Sequence, residues 1–425
     1  MEFNLINKTR EKLTTIVNTS TIGAVIVVSY LFVGCSKINT NHFPQFTDDG
    51  NLTTKEQCLN PVLPNKIRLF VEVSGSMNGF FRSNMPTDFK TDVWSIFSDF
   101  GQSAVGVNIF SEQGIMPKTL NMVTFRNLMN QGGFVSSVST NIPDMLSRMI
   151  GSVKSNKGEV GILVSDMKYD PVGNSSIEVL LSQYSDDIRN LLDKQNNALC
   201  VIAAKSNYLD KTGNTICKNS PYYYILVGKP EQVVALRNDM CLLLKQSNHF
   251  VDELEFGIDY KMPHFEVSNP DYLKEFTKNA YGEFSDDCNI NVDFDISSLP
   301  FDFENNDSLI NRLIIKTEYG TNVDKVTSKD VSYIIKNEDG NVMKRKSIAR
   351  VKLHISDPGD KSEMLTFILR IPEKQIPSST FESYLGATSV DDLSKTFSME
   401  NFLSGCFKGM KKINKNYPIY LLINK

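Results

Sequence analysis

Short apolar runs alternate with segments of helical periodicity between residues 65 and 250. Runs typical of buried strands lie at 67–71, 104–110, 160–164, 198–204 and 222–227. Amphipathic helical patterns lie at 88–100, 142–153, 177–192 and 230–245. Continuous apolar strands of this length are typical of sheets covered on both faces. The alternation therefore predicts an α/β fold with a doubly wound, mostly parallel sheet over residues 65–250.

The pattern changes to a period of two residues after position 250. Apolar and polar residues alternate at 290–296, 351–355 and 365–371, and 337–340 has the composition of a hairpin turn. An amphipathic helical pattern follows at 399–410. These features predict a C-terminal antiparallel, β-sandwich-like domain over residues 251–425 with one late helix.

The N-terminal region contains an uncharged apolar run at 22–34. It is shorter than the roughly 20 residues needed to span a bilayer, but it suits the core of a signal peptide. Its end, from Leu31 to Cys35, resembles a bacterial lipobox, which implies that Cys35 carries a lipid. We expect a signal peptide or anchor over 1–34 and a polar tether over 35–64. An uncleaved helical anchor is the alternative, and both place the chain in the cell envelope, facing the periplasm or the exterior.

Composition removes several other classes of function. The chain has 45 basic and 49 acidic residues, so its net charge of −4 gives no reason to expect a nucleic-acid partner. Its seven cysteines form no CxxC pair, and its four histidines show no HExxH spacing. A zinc site is therefore not expected.

Oxygen-bearing side chains stand at the ends of predicted strands. Glu72, Ser74 and Ser76 follow the first strand, Thr140 precedes the helix that begins near 142, and Asp166 follows the strand at 160–164. In open α/β sheets, ligands bind beyond the carboxyl ends of the strands. We therefore expect these five side chains to converge at one edge of the sheet.

The three segments resemble, in order and spacing, the metal-ion-dependent adhesion site of von Willebrand factor A domains. The resemblance covers roughly residues 65–247. It implies a hard cation, Mg²⁺ or alternatively Mn²⁺ or Ca²⁺, which prefers oxygen ligands. Glu72, Ser74, Ser76, Thr140 and Asp166 would surround it. An open coordination position would accept an acidic side chain of another envelope or extracellular protein.

The sequence departs from that family at position 72, where glutamate replaces the aspartate of the motif. The longer side chain leaves three alternatives open: it binds the ion directly, displaces a serine, or fills the open position itself. A fourth is an inert domain in which Glu72 only hydrogen-bonds the hydroxyls.

The function favoured by these features is recognition of a protein or surface polymer at the envelope, without enzymatic activity. Phe80, Phe81 and Arg82 directly follow the serines and would form a partner-binding hot spot if exposed, or core if they pack under the loop. A structural scaffold with an inert domain is one alternative. A serine hydrolase is another, although Ser74 and Ser76 lack the GxSxG spacing and an evident base.

Overall fold

The structure is a computed structural model, and it describes part of the chain. The described residues are 59–110, 117–132, 134, 139–171, 176–193, 196–268, 281–283, 288–304, 313–316, 322–324, 331–337, 345–356, 363–372, 374–410 and 414–424. The predicted signal segment, Cys35 and the tether up to residue 58 lie outside the described residues. Within these stretches, no helix has the length and apolar character needed to cross a membrane.

A seven-stranded mixed sheet forms the centre of the α/β part. Its strands are β1 (Lys66–Glu72), β2 (Ala104–Phe110), β3 (Lys118–Leu120), β4 (Glu159–Ser165), β5 (Ala198–Leu209), β6 (Thr215–Gly228) and β7 (Phe250–Phe256). They lie in the order β3-β2-β1-β4-β6-β5-β7. β1 is parallel to both of its neighbours, β2 and β4, whereas the other pairings are antiparallel. The carboxyl ends of β1, β2 and β4 therefore meet at one edge of the sheet.

The pairing of β5 with β6 makes the sheet less parallel than the alternation suggested. A tight turn joins the two strands, in which the backbone N–H of Asp210 donates to the carbonyl of Asn214 at 2.9 Å. The Asp210 carboxylate also accepts from the N–H of Thr212 at 2.8 Å. A parallel pair needs a crossover of about a dozen residues or more, so this short connection permits only an antiparallel hairpin.

Helices cover both faces of the sheet, which confirms the predicted α/β class. They are α1 (Asp88–Asp99), α2 (Met122–Gln131), α3 (Ile142–Ser152), α4 (Ile177–Leu192), α5 (Pro230–Gln246), α6 (Ser379–Glu382) and α7 (Met399–Gly409). Apolar residues of α1, α2 and α5 form one core cluster with the sheet. Those of α3, α4 and α7 form a second cluster on the other face. The helix α2 is an element that the hydrophobic pattern did not predict.

The β-rich part contains two smaller sheets. A five-stranded antiparallel sheet consists of β8 (Phe265–Ser268), β10 (Cys288–Asp295), β12 (Asn322–Asp324), β13 (Val331–Asn337) and β14 (Arg345–Ser356). A four-stranded sheet consists of β9 (Tyr281–Glu283), β11 (Leu313–Lys316), β15 (Glu363–Pro372) and β16 (Asn414–Asn424). In the second sheet only the pairing of β16 with β9 is parallel. The pairing of β13 with β14 confirms the predicted hairpin around 337–340, whose turn lies outside the described residues.

The chain returns to the α/β part after it has built most of the β-rich part. The strand β7, which the sequence analysis placed beyond the domain boundary, pairs with β5 in the central sheet. The late helix α7 packs on α4, where Gly405 lies against Ser185 and Ile188. Phe402 and Cys406 of α7 are fully buried in the second core cluster. The α/β part therefore includes residues from both sides of the β-rich segment.

The close approach of α7 to α4 gives a test of this arrangement. A Cβ added at Gly405 would lie 2.7 Å from the carbonyl oxygen of Ser185, whereas a Cβ at Gly151, in α3, would meet nothing within 4 Å. We expect Gly405→Ala to lower the free energy of unfolding by about 1–3 kcal/mol because it forces two packed helices apart. Gly151→Ala, the matched control, should raise it by up to about 1 kcal/mol through helix propensity.

Urea unfolding of the two variants and the wild type measures both changes. Equal stability of Gly405→Ala and Gly151→Ala would contradict the packing of α7 on α4.

Candidate functional site

The five side chains expected to converge come from three segments that meet at the carboxyl edge of β1 and β4. Glu72 is the last residue of β1, and Asp166 directly follows β4, which is hydrogen-bonded to β1. Thr140 precedes α3 and is fixed by two backbone hydrogen bonds with Asp170, of 2.8 and 3.0 Å. Adjacent parallel strands end at the same edge, so the chain brings Glu72, Thr140 and Asp166 together.

Glu72 is held by two hydroxyl groups. The Thr140 hydroxyl donates to Glu72 Oε1 at 2.6 Å, and the Ser165 hydroxyl donates to Glu72 Oε2. Ser165 in turn accepts a hydrogen bond from the backbone N–H of Met167 at 2.7 Å. Glu72 is completely buried. Its carboxylate is therefore fixed in orientation below the rim of the sheet.

The two serines lie on the turn that follows β1. Residues Gly75–Met77 form a short 3₁₀ turn, and Met77 is buried beneath it. The hydroxyl oxygens of Ser74 and Ser76 are 2.8 Å apart. Ser74 is buried, Ser76 is half-buried and Gly75 is exposed. The serine hydroxyls therefore lie between the buried carboxylates and solvent.

Two buried carboxylates stand side by side at this edge. Burial and the nearby charge of Asp166 raise the pKa of Glu72 to about 7, although hydrogen bonds from Ser165, Ser74 and Thr140 act in the opposite direction. Burial also raises the pKa of Asp166, which Lys168 and the hydroxyl of Ser76 lower. A pair of carboxylates out of water is stable only with a bound proton or a cation.

Asp166 has one oxygen without a hydrogen-bond partner among the described residues. Its Oδ2 is buried and accepts nothing, whereas Oδ1 accepts from the backbone N–H of Lys168 at 3.3 Å. The backbone turns sharply between Asp166 and Lys168 because Met167 has a φ of +58°. Non-glycine residues in this left-handed region cost about 1–3 kcal/mol and concentrate at functional sites.

These donors fit a hard divalent cation. Hydroxyl oxygens from Ser74 and Ser76 and the free oxygen of Asp166 are the ligand type that Mg²⁺ and Mn²⁺ prefer. Thr140 is turned toward Glu72 instead. Among the described residues no group of three or more histidine, cysteine, aspartate or glutamate side chains is placed to hold a metal. The candidate set contains only two carboxylates, so hydroxyls and water would have to complete it.

A C-terminal segment closes one side of the site. We call residues 387–397 the strap, since Ala387 and Phe397 are joined by a β-bridge. The ammonium of Lys168 donates to the carbonyls of Val390 at 2.9 Å and Asp392 at 2.7 Å. The Thr396 hydroxyl contacts the backbone carbonyl of Asp166 at 3.4 Å. The strap therefore fixes Lys168 and the residues that follow β4.

Comparisons of this chain with protein-family models, curated proteins and solved structures found no match.

The structure corrects the prediction for Phe80 and Phe81. They are 1% and 5% exposed and therefore unavailable as a contact surface. Phe80 packs edge-on against Tyr208 with ring centroids 5.1 Å apart, and Phe81 packs against Phe89 at 5.0 Å. Both rings belong to the core cluster that also contains Met77 of the serine turn. Arg82 is half-buried and donates to the carbonyl of Leu209 at 3.4 Å.

Sequence reasoning missed three residues of the site. Ser165 had a signal that could have found it, since it directly precedes Asp166 at the end of a strand. Lys168 and Thr396 had none, because their contacts join segments more than 220 positions apart.

A second group of ionisable side chains lies around β7, the outermost strand on one side of the sheet. We call it the β7 ionic cluster, and its members are Arg237, Asp252, Glu253, Glu255 and Lys374. Arg237 pairs with Glu255, and Lys374 pairs with Asp252. Glu253 is completely buried, and neither of its oxygens has a hydrogen-bond partner in the described part of the chain. The cluster thus holds three carboxylates and two cations.

Of the three carboxylates, Glu253 has the longest ion pair. The Lys374 ammonium is 3.7 Å from it. Burial and the neighbouring charge of Glu255 raise the pKa of Glu253 from 4.5 to about 8, although Lys374 and Arg237 act in the opposite direction. We therefore expect the folded protein to keep a proton on Glu253 at neutral pH.

This proton gives the stability a dependence on pH. Between about pH 4.5 and pH 8 the folded state holds a proton that the unfolded state releases, so the free energy of unfolding falls as the pH rises. We expect Glu253→Gln to match the wild type near pH 5. At pH 8.5 it should be more stable than the wild type, by on the order of 2–4 kcal/mol.

Urea unfolding at the two pH values measures the effect, and Glu382→Gln, at an exposed position, is the control. If Glu253→Gln lost as much stability as the wild type between pH 5 and 8.5, the protonated carboxyl would be ruled out.

Proposed function

We propose that the chain is an exported, lipid-anchored binding protein of the cell envelope. Its α/β domain, of the von Willebrand factor A type, would recognise a partner protein or a surface polymer. Recognition would use a divalent cation, Mg²⁺ or Mn²⁺, held near Ser74, Ser76 and Asp166. The acidic group of the partner would complete the coordination of that cation.

The observation that carries this proposal is the free oxygen of Asp166 beside a second buried carboxylate. Buried polar atoms are almost always paired, and an unpaired one needs an explanation. Asp166 Oδ2 lies at the same rim as the two serine hydroxyls. Ser76 is near enough to lower the pKa of Asp166, but no described group is in hydrogen-bond geometry with this oxygen. A bound cation supplies the missing partner.

The cation would provide an open coordination position for a carboxylate of the partner. The surrounding residues determine the net charge of the site. Thr140 and Ser165 hold Glu72 in place, so it supplies negative charge without moving. Lys168 lies near enough to lower the pKa of Asp166, and it offsets one of the two carboxylates. With Glu72 ionised and a divalent ion bound, the site would carry net positive charge. That favours an anionic partner group.

The contacts of the serines favour binding over hydrolysis. The Ser74 hydroxyl contacts the Ser76 hydroxyl and the Glu72 carboxylate, and no described histidine forms a hydrogen bond with either serine. His249 contacts Asp92 at 2.8 Å instead. A serine without an adjacent base is a weak nucleophile. Covalent labelling of Ser74 or Ser76 by a fluorophosphonate probe would favour a hydrolase instead.

Stabilisation by metal tests the site directly. We expect Mg²⁺ or Mn²⁺, at about 100 times its dissociation constant, to raise the free energy of unfolding by roughly 2.7 kcal/mol over the value in EDTA. Asp166→Asn keeps the shape of the side chain and removes its charge, so it should abolish this gain.

Asp170→Asn, four positions further on and exposed, is the matched control and should retain the gain. Melting curves of the three proteins in EDTA and in each metal make the comparison. No gain in the wild type would favour the inert-scaffold alternative and contradict a cation-dependent site.

The anchor has a separate test. We expect a bacterial host given labelled palmitate to incorporate the label into the full chain but not into Cys35→Ala. The variant should also leave the membrane fraction. Equal labelling of both chains would exclude Cys35 as the lipidated residue.

A further inference from the structure

A cavity of about 640 Å³ opens between α1 and α2. Trp94 forms one wall, and the guanidinium of Arg126 lies 4.7 Å from the centre of its ring. The buried Met129 lies on the floor, and Met85, which is 36% exposed, stands at one end. We call this cavity the α1–α2 groove. Its volume is within the range of about 300–1,000 Å³ found for ligand sites.

The charge of the groove has one sign. Among the residues that the structure describes, its lining includes Lys90 and Arg126 and no aspartate or glutamate, although the chain as a whole has more acidic than basic residues. Neither residue, nor the neighbouring Arg82, forms an ion pair with any described carboxylate. The groove therefore presents uncompensated positive charge.

Lys90 shows how that charge is held. Its side chain is largely buried, and its ammonium donates to the carbonyls of Arg82 at 2.5 Å and Met85 at 3.0 Å. Burial and the nearby charge of Arg82 lower the pKa of Lys90 to about 8. Its third N–H has no recorded acceptor in the described residues. A bound carboxylate would supply the missing counter-charge through a charge-assisted hydrogen bond.

We propose that the α1–α2 groove binds an acidic, partly apolar segment of a partner polypeptide. Glutamate or aspartate side chains of the segment pair with Arg126 and Lys90. Apolar side chains pack on Trp94 and Met85, because methionine and tryptophan surfaces adapt to varied apolar groups. Ser95 is exposed at the groove, so its hydroxyl is available to the backbone of the segment. This site does not depend on the cation proposed at Ser74, Ser76 and Asp166.

The tryptophan makes the groove directly observable. Trp94 is the sole tryptophan of the chain, so the intrinsic indole fluorescence reports on the groove alone. The probe is a synthetic peptide of alternating glutamate and leucine, and its uncharged counterpart of glutamine and leucine is the first control. We expect the acidic peptide to shift the emission saturably at low salt, in EDTA, and to bind more weakly as salt is added.

Anisotropy of a labelled acidic peptide measures the affinities of the variants, because substitution of Arg126 also changes the environment of Trp94. The Arg126→Gln variant should bind the acidic peptide about tenfold more weakly than the wild type does, because it loses one charge-assisted contact. Lys157→Gln, at an exposed lysine before β4, is the matched control and should bind as the wild type does.

Three results would overturn the proposal. The first is equal binding of the acidic and the uncharged peptide. The second is unchanged affinity in Arg126→Gln. The third is a shift produced by heparin fragments but not by the acidic peptide, which would assign the groove to an anionic polysaccharide. Binding that persists in EDTA supports the groove even if no metal binds at Asp166, and its loss in EDTA would refute a separate site.

Discussion

Two buried carboxylates at the ends of adjacent parallel strands are the constraint around which this part of the molecule is arranged. Glu72 and Asp166 lie near enough for the charge of Asp166 to raise the pKa of Glu72, and both are out of water. Like charges in such a place repel and lose hydration, so the surrounding chain has to compensate. Thr140, Ser165 and Lys168 do so in part, and one oxygen of Asp166 is left without a partner.

The C-terminal region completes the α/β part and reaches the site from the far end of the sequence. The carbonyl of Lys374 accepts from the backbone N–H of Glu255, which attaches the segment to β7. The strap then crosses to Lys168 and Asp166, and α7 fills the face beside α4. A chain cut after residue 250 would lose all three contacts. The position of Asp166 therefore depends on contacts with the C-terminal region as well as on the central sheet.

The hydrophobic pattern predicted the strands and helices whose residues are buried on a regular period, and the strand ends located Glu72, Thr140 and Asp166. The hydrophobic pattern could not predict that β5 and β6 are antiparallel, because the direction of β6 depends on the turn around Asp210. Burial of Phe80 and Phe81 depends on packing against Tyr208, from a distant strand. The contact of Lys168 with the strap joins residues whose separation leaves no local signal.

The central question about the site is whether a cation binds to the free oxygen of Asp166. Crystals of the chain soaked in Mn²⁺ and measured for anomalous scattering answer this question. We expect one anomalous peak, about 2.0–2.3 Å from Asp166 Oδ2 and near the hydroxyls of Ser74 and Ser76. A well-ordered site without a peak, or a hydrogen bond from a neighbouring group to that oxygen, would contradict this expectation.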